Sequence, residues 1–136
     1  MAGSLKMKIK RIDHLVLTVK DIPTTVDFYE RVLGMKHIEF GEGRIALTFG
    51  QQKINLHEQG KEFEPKAGNV ASGSADLCFI IDTPITDAIT ELLNNNVNVI
   101  EGPVNRTGAS GAIISVYFRD PDNNLIEISN YLEKYT

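Results

Sequence analysis

Ile12-Asp13-His14-Leu15-Val16-Leu17-Thr18-Val19, running directly into Asp21-Ile22-Pro23-Thr24, is the stretch that decides the fold. Alternation puts Leu15, Leu17 and Val19 on one side and His14, Val16 and Thr18 on the other, which predicts a strand with one aliphatic and one mixed face. The next residues read as a helix start, with an acidic cap candidate and a proline tolerated in the first turn. A helix is expected from about Pro23 to Leu33, with Phe28, Tyr29, Val32 and Leu33 as its apolar stripe and Gly34 as its left-handed stop. Short strands should follow at 35–40, 44–49 and 53–58, separated by Gly41-Glu42-Gly43 and Gly50-Gln51-Gln52.

The same pattern then returns. Residues 59–74, rich in Gly, Ser, Glu and Lys, break the periodicity and read as a linker lying over the surface. Ala75-Asp76-Leu77-Cys78-Phe79-Ile80-Ile81 is a second first strand, Asp82-Thr83-Pro84 a second helix start, and Ile85, Ala88, Ile89, Leu92 and Leu93 a second helical stripe. Strands at 97–101, 112–118 and 125–130 complete it. Pro23 and Pro84 stand 61 residues apart (84 − 23), and His14 and Asp76 stand 62 apart (76 − 14). Self-similarity at one offset implies a duplicated module. One helix and four strands are too little to bury both faces of a sheet, so the halves should combine. The fold class is α+β: paired β-α-β-β-β modules forming an open, cup-shaped barrel around a shared cavity. One domain is expected at 9–131, divided into module one (9–58), linker (59–74) and module two (75–131).

Composition narrows the function classes. A chain of 136 residues with 42% hydrophobic residues fits a single domain with an ordinary core. Lys and Arg total 14 against 18 acidic residues, a net charge of −4 with no long basic run, so nucleic acid is not an expected partner. Cys78 is the only cysteine, which excludes an intrachain disulfide and suits a reducing cytoplasm. No apolar run approaches the roughly 20 residues a bilayer span needs, and no signal-like segment opens the chain, so no membrane partner is expected. Met1-Ala2-Gly3-Ser4 reads as a short tail outside the fold.

The chemistry-bearing residues lie on strands. Glu127 stands between Ile126 and Ile128, and an acid among buried aliphatics must be paired or bind something; its plainer reading is an exposed edge strand. Aligning the modules would make four inward positions converge: His14, Asp76, Glu127, and either Asn55 or His57. Imidazole and carboxylate donors suit Zn²⁺, Ni²⁺, Fe²⁺ or Mn²⁺. A lone strand histidine is more often a satisfied structural group, and Asp76 has a competing role as acceptor to a ligand histidine. Asn55 and His57 share parity but lie roughly 6.6 Å apart along the strand, so only one should reach a common ion. Cys78 shares the face of Asp76 and reads as a small packed residue. Asp120-Pro121-Asp122-Asn123-Asn124 is a turn by its chemistry. Arg106, in the expected loop Arg106-Thr107-Gly108-Ala109-Ser110-Gly111, is a candidate clamp for a substrate carboxylate, with a solvated loop arginine as the alternative.

The duplicated pattern, the opening Ile12–Val19 with a helix ending Phe28-Tyr29-Glu30-Arg31-Val32-Leu33-Gly34, and the closing Tyr117-Phe118-Arg119-Asp120-Pro121-Asp122-Asn123-Asn124-Leu125-Ile126-Glu127 resemble the vicinal oxygen chelate superfamily. The resemblance covers about residues 9–131. Lys53-Ile54-Asn55-Leu56-His57-Glu58, Glu62-Phe63-Glu64-Pro65-Lys66-Ala67 and Gly73-Ser74-Ala75-Asp76-Leu77-Cys78-Phe79 look like its glyoxalase domain-containing, lactoylglutathione-lyase-like subgroup. The superfamily includes glyoxalase I, extradiol dioxygenases, an epimerase, resistance transferases and metal-free antibiotic-binding proteins. The resemblance implies that His14 and Glu127 are metal ligands and that the protein is a homodimer. It also shows two departures, Asp76 where histidine is usual and Asn55 where Glu, Gln or His is usual.

The expected function is therefore a divalent-metal-dependent, glyoxalase-like lyase or isomerase acting on a small substrate with adjacent oxygens. Zinc or nickel is the first choice of metal, iron or manganese the second. The metal would stabilise an enediolate; Glu127 would be ligand and general base, His57 ligand or second proton carrier, Asp76 a further ligand, and Arg106 the contact for an anionic substrate end. A ferrous extradiol-type dioxygenase using His14, His57 and Glu127 is the enzyme alternative. A non-enzymatic binding module is the alternative from another class.

Overall fold

The computed structural model describes residues 5–132, so the expected tail at 1–4 lies outside the described residues. Module one consists of β1 (His14–Val19), α1 (Ile22–Leu33), β2 (Lys36–Phe40), β3 (Arg44–Phe49) and β4 (Gln52–Glu58). Module two repeats it with β5 (Asp76–Ile80), α2 (Ile85–Asn94), β6 (Glu101–Thr107), β7 (Ala112–Arg119) and β8 (Leu125–Tyr131). Each module makes one four-stranded mixed sheet, in the orders β1-β4-β3-β2 and β5-β8-β7-β6. In each, the first strand runs parallel to the fourth and the other pairs are antiparallel. The sheets remain separate, which leaves the cup open rather than closing a barrel.

Strand parity decides where the core lies. Leu17, Val19, Ile54 and Leu56 on the first sheet, and Val116, Phe118, Ile126 and Ile128 on the second, merge with Phe28 and Tyr29 of α1 and Ile85, Ala88 and Leu92 of α2 in one cluster. Phe28 of module one lies 6.2 Å from Phe118 of module two, ring centre to ring centre. The apolar faces of both halves thus share one interior, and the mixed faces look away from it.

The two helices begin differently. Asp21 caps α1, accepting from the backbone N–H of Thr24 at 3.0 Å, and Gly34 ends it at φ 69°. For α2 the expected repeat fails: Pro84 occupies the cap and supplies no side-chain acceptor. Asn130 of β8 replaces it, its Oδ1 accepting from Ile85 N at 2.8 Å while its amide donates to the Ile81 and Thr83 carbonyls, each at 3.0 Å.

The Asp120–Asn124 turn joins the halves. Buried Asp120 accepts from Tyr29 Oη at 2.6 Å, from Asn124 Nδ2 at 2.8 Å, and from the N–H groups of Asp122 and Asn124, each at 2.9 Å. Asp122 accepts from Lys20 N, and Asn124 Oδ1 from Ala75 N. Burial and the Asp120 charge push the Tyr29 hydroxyl far above its ordinary pKa, so it remains the donor. The turn is structural, as its chemistry suggested.

One strand is displaced from its expected place. Residues 97–100 are not a strand; Val97 packs into the core after α2, and β6 begins at Glu101. The expected strand at 97–101 thus overlaps β6 only at Glu101. The sheet accommodates Gly102-Pro103 at a register shift between Glu101 and Val104. No helix among the described residues is long and apolar enough to cross a membrane.

Candidate functional site

Pairing registers place the expected residues on the two mixed faces. On the first sheet His14 stands opposite Lys53, Val16 opposite Asn55, and Thr18 opposite His57. Neither Asn55 nor His57 is level with His14: Asn55 is two residues further along and His57 four, the latter roughly 13 Å of strand. On the second sheet Asp76 pairs with Leu125, Cys78 with Glu127, and Glu127 in turn with Tyr117. His14, Asn55 and His57 therefore share one face, and Asp76 and Glu127 share another. Among the described residues no three His, Cys, Asp or Glu side chains are grouped to hold a metal. The candidate donors are thus divided between two faces of one chain.

His14 is exposed, and its Nδ1 lies 2.9 Å from Asp13 Oδ1. That hydrogen bond is the chief cause holding the Asp13 carboxyl below its usual range. Donation through Nδ1 leaves the Nε2 lone pair free, an arrangement that orients ligand histidines. His37 makes the same contact with Glu30, at 2.7 Å, so the pairing by itself is not diagnostic.

Half-buried Glu127 borders a cavity of about 380 Å³ together with Cys78, Arg106 and Tyr117. Burial, reinforced by the Glu127 carboxylate, pushes the Tyr117 hydroxyl up, with Arg106 opposing. Burial also raises the Cys78 thiol, and the Glu127 and Asp76 charges add to it, so this is no activated thiolate.

His57 is the deeper histidine, 3% exposed against the interior of its half-cup. Its Nε2 lies 3.5 Å from Arg44 Nη2, and a guanidinium can only donate. The network therefore assigns Nε2 as acceptor and puts the ring proton on Nδ1, which is buried without a partner. Burial first, then the Arg44 charge, hold His57 below its ordinary pKa and keep it neutral near pH 7. Asn55 Oδ1 on the same face is also buried and unpartnered.

With this geometry in view, the comparisons identify the scaffold. Residues 11–128 match the Glyoxalase/Bleomycin resistance protein/Dioxygenase superfamily. The chain belongs to that superfamily. It is similar to the Virulence protein STM3117 of Salmonella typhimurium, 60% identical over 95% of this chain and 90% of that one. It is similar also to the Glyoxalase domain-containing protein RDO1 of Mycosarcoma maydis, 56% identical over 93% of this chain and 71% of the relative. Among solved structures, the integron cassette protein VCH_CASS1 from the mobile metagenome of V. cholerae is 66% identical, with a TM-score of 0.92 over 94% of this chain and all of that one.

In this superfamily member Arg106 is not in a loop. It belongs to β6, donating to Tyr117 Oη at 2.9 Å and to Glu101 Oε2 at 3.0 Å, so its charge already has a carboxylate partner. Arg44 and Phe63 were not legible as site residues. Arg44 sits on β3, whose sequence carries no motif, and Phe63 comes from the 59–74 stretch. That stretch folds across the first sheet: Pro65, Lys66, Ala67 and Val70 close a cavity of about 370 Å³ over Val16, Thr18 and His57.

Proposed function

We propose that this chain is a divalent-metal-dependent, glyoxalase-like lyase or isomerase acting on a small substrate with adjacent oxygens, and that two copies join to complete each site. The observation that carries this is the division of donors: His14 with its free Nε2 on one open face, Glu127 and Asp76 on the other. β1 and β5 are both edge strands, and apolar Val16 and Ile80 lie on the two mixed faces, 45% and 53% exposed. Such edges and apolar surface call for cover, and a second copy of the chain supplies the complementary half. Leu5, Met7 and Ile9, alternating with lysines and fully open to solvent, add to the surface a dimer would bury.

His14, Glu127 and Asp76 fit a borderline divalent cation such as zinc or nickel, and iron or manganese suits the same donors. When bound, the ion supplies Lewis acidity toward adjacent substrate oxygens. Glu127 then acts as the general base at the cavity wall, and the protonated Tyr117 hydroxyl stands beside it as a hydrogen-bond donor. His57 is better suited to carrying a proton than to ligation. With Nε2 accepting from Arg44 and the proton on Nδ1, neither nitrogen offers a lone pair. Arg106 and Tyr117 border the substrate cavity beside Glu127.

Metal analysis of the purified chain alongside His14→Ala and Glu127→Ala tests this reading. Occupancy should fall in both variants while the fold is retained, because metal binding needs both half-sites. Equal metal content in all three overturns it. Light scattering should show a dimer, and a monomer throughout the micromolar range removes the composite site. Iron with oxygen uptake would favour the dioxygenase alternative, and a metal-free, ligand-binding protein the binding module.

A further inference from the structure

The mixed face of module one carries two cations that stand on an aromatic ring instead of a carboxylate, Lys53, with Nζ 3.8 Å from the Phe40 ring centre, and Arg44. Among the described residues Lys66 is met by Glu62 at 3.6 Å and Glu64 at 3.5 Å, and Arg106 by Glu101 at 3.0 Å. Arg44 is held differently: its guanidinium lies between the rings of Phe40 and Phe63, 5.0 and 4.8 Å from their centres, and reaches His57 Nε2 at 3.5 Å. Phe63 also packs edge-on against the His57 ring at 5.5 Å. Aromatic faces hold a guanidinium plane and leave its edge N–H groups free, which is the presentation that takes a carboxylate through two parallel hydrogen bonds.

Two further groups on this face await a partner. His57 Nδ1, which carries the ring proton, is a donor, and Asn55 Oδ1 is an acceptor; both are buried and unpartnered, in residues only 3% and 6% exposed. A buried polar atom left unsatisfied is costly, so such a pair points to a bound group. A hydroxyl satisfies both, accepting from the imidazole and donating to the amide oxygen. Asn55 and His57 are separated by roughly 6.6 Å along the strand, and their side chains stand on the face that also carries Arg44.

We propose that Arg44, His57 and Asn55 form a subsite for a small 2-hydroxycarboxylate, with Arg44 binding the carboxylate and the other two binding the hydroxyl. This deepens the lyase or isomerase reading by naming the substrate class, and it rests on that reading for its catalytic meaning. The subsite itself lies on one sheet of one chain and contains none of the proposed metal ligands. Phe63 and Lys66 position the roof from the 59–74 arm, with Lys66 tied down by Glu62, whose side chain is only 7% exposed.

Calorimetric titration of the full chain, stripped of metal by chelation, with sodium glycolate, sodium acetate and inorganic phosphate tests the proposal. Glycolate should bind once per chain and acetate at least about fivefold more weakly, since acetate leaves the hydroxyl-binding pair empty. Arg44→Gln should weaken glycolate at least about tenfold, Arg44→Lys should fall between, and Asn55→Ala should lower glycolate to the acetate level without altering acetate. Arg31→Gln, on the outer face of α1, should bind glycolate like the wild type. Thermal melts establish that each variant is folded, and Arg44→Lys provides the reading if Arg44→Gln does not fold. Unchanged glycolate affinity in the folded Arg44 variant, equal binding of acetate and glycolate, preference for phosphate, or a loss confined to Arg106→Gln each overturns the subsite. Because the titration is done without metal, failure of the metal-content test leaves its outcome unaffected, and the reverse holds as well.

Discussion

Modules one and two have the same strand order and the same parallel pairing of first and fourth strands, yet their mixed faces have diverged. The face of module one carries Arg44, Lys53, His14 and His57 and is roofed by the 59–74 arm; that of module two carries Asp76, Glu127 and Tyr117 around a cavity without such a roof. Their shared apolar faces are equivalent in role, both feeding one core. The difference teaches that burial constrains one parity of every strand, while the other parity is free to take a basic character in one half and an acidic one in the other.

The largest perturbation should come where the halves are joined. Asp120→Ala strands the Tyr29 hydroxyl and three further donors in the interior, and should cost about 3 kcal/mol or more in urea unfolding. If the halves are one cooperative unit, the transition should remain single, and separate transitions would show that each module folds alone.

The two helix starts offer a narrower comparison. Asn130→Ala removes the acceptor for Ile85 N and two further hydrogen bonds linking β8 to the start of α2, and should cost about 1–2 kcal/mol. Asp21→Asn should cost less, because only local bonds to Thr24 are weakened. Those bonds hold the Asp21 carboxyl below its ordinary pKa. A carboxyl depressed in the folded state contributes stability above its unfolded pKa of about 4, and that stability disappears as pH falls through the folded value. The wild-type advantage over Asp21→Asn should therefore close in acid; a constant difference from pH 7 to pH 2 would exclude the charged cap. The smallest effect belongs to Arg106→Gln, whose half-exposed pair with Glu101 should leave the melting temperature unchanged within error.

How much of this could be read from the sequence follows the range of the forces involved. Parity within a strand is local, so Leu15, Leu17 and Val19 were assigned correctly against His14, Val16 and Thr18, and Cys78 was assigned correctly to the face of Asp76. The duplication was visible because the first strands and the prolines of the helix starts repeat at offsets of 62 and 61 residues. The β6 boundary was not, because an edge-side bulge admits Gly102-Pro103 where local propensity argues for a break. Asn130 gave no sign of capping a helix 45 residues away. At the candidate site the residue types were legible, but their grouping was not. Alignment of modules suggested that four strands converge, whereas each sheet pairs only within itself and turns its mixed face from the shared core. That Arg106 is ion-paired while Arg44 is stacked depended on Glu101 and on two aromatic rings, all tertiary neighbours.

The arm at 59–74 also bears on how this scaffold changes over generations. It covers one half-cup from outside the sheet and contributes nothing to the shared core, meeting the Asp120 joint at its far end, where Gly73 lies against the Asp122 carbonyl. Closing a flexible segment costs only about 0.6 kcal/mol more for each doubling of its length, so insertions and deletions here are inexpensive beside changes to a strand. Related chains can therefore resize the chamber over His57 by lengthening or trimming a single loop. A change of chamber size made there leaves the strand pairing of the sheet beneath it intact.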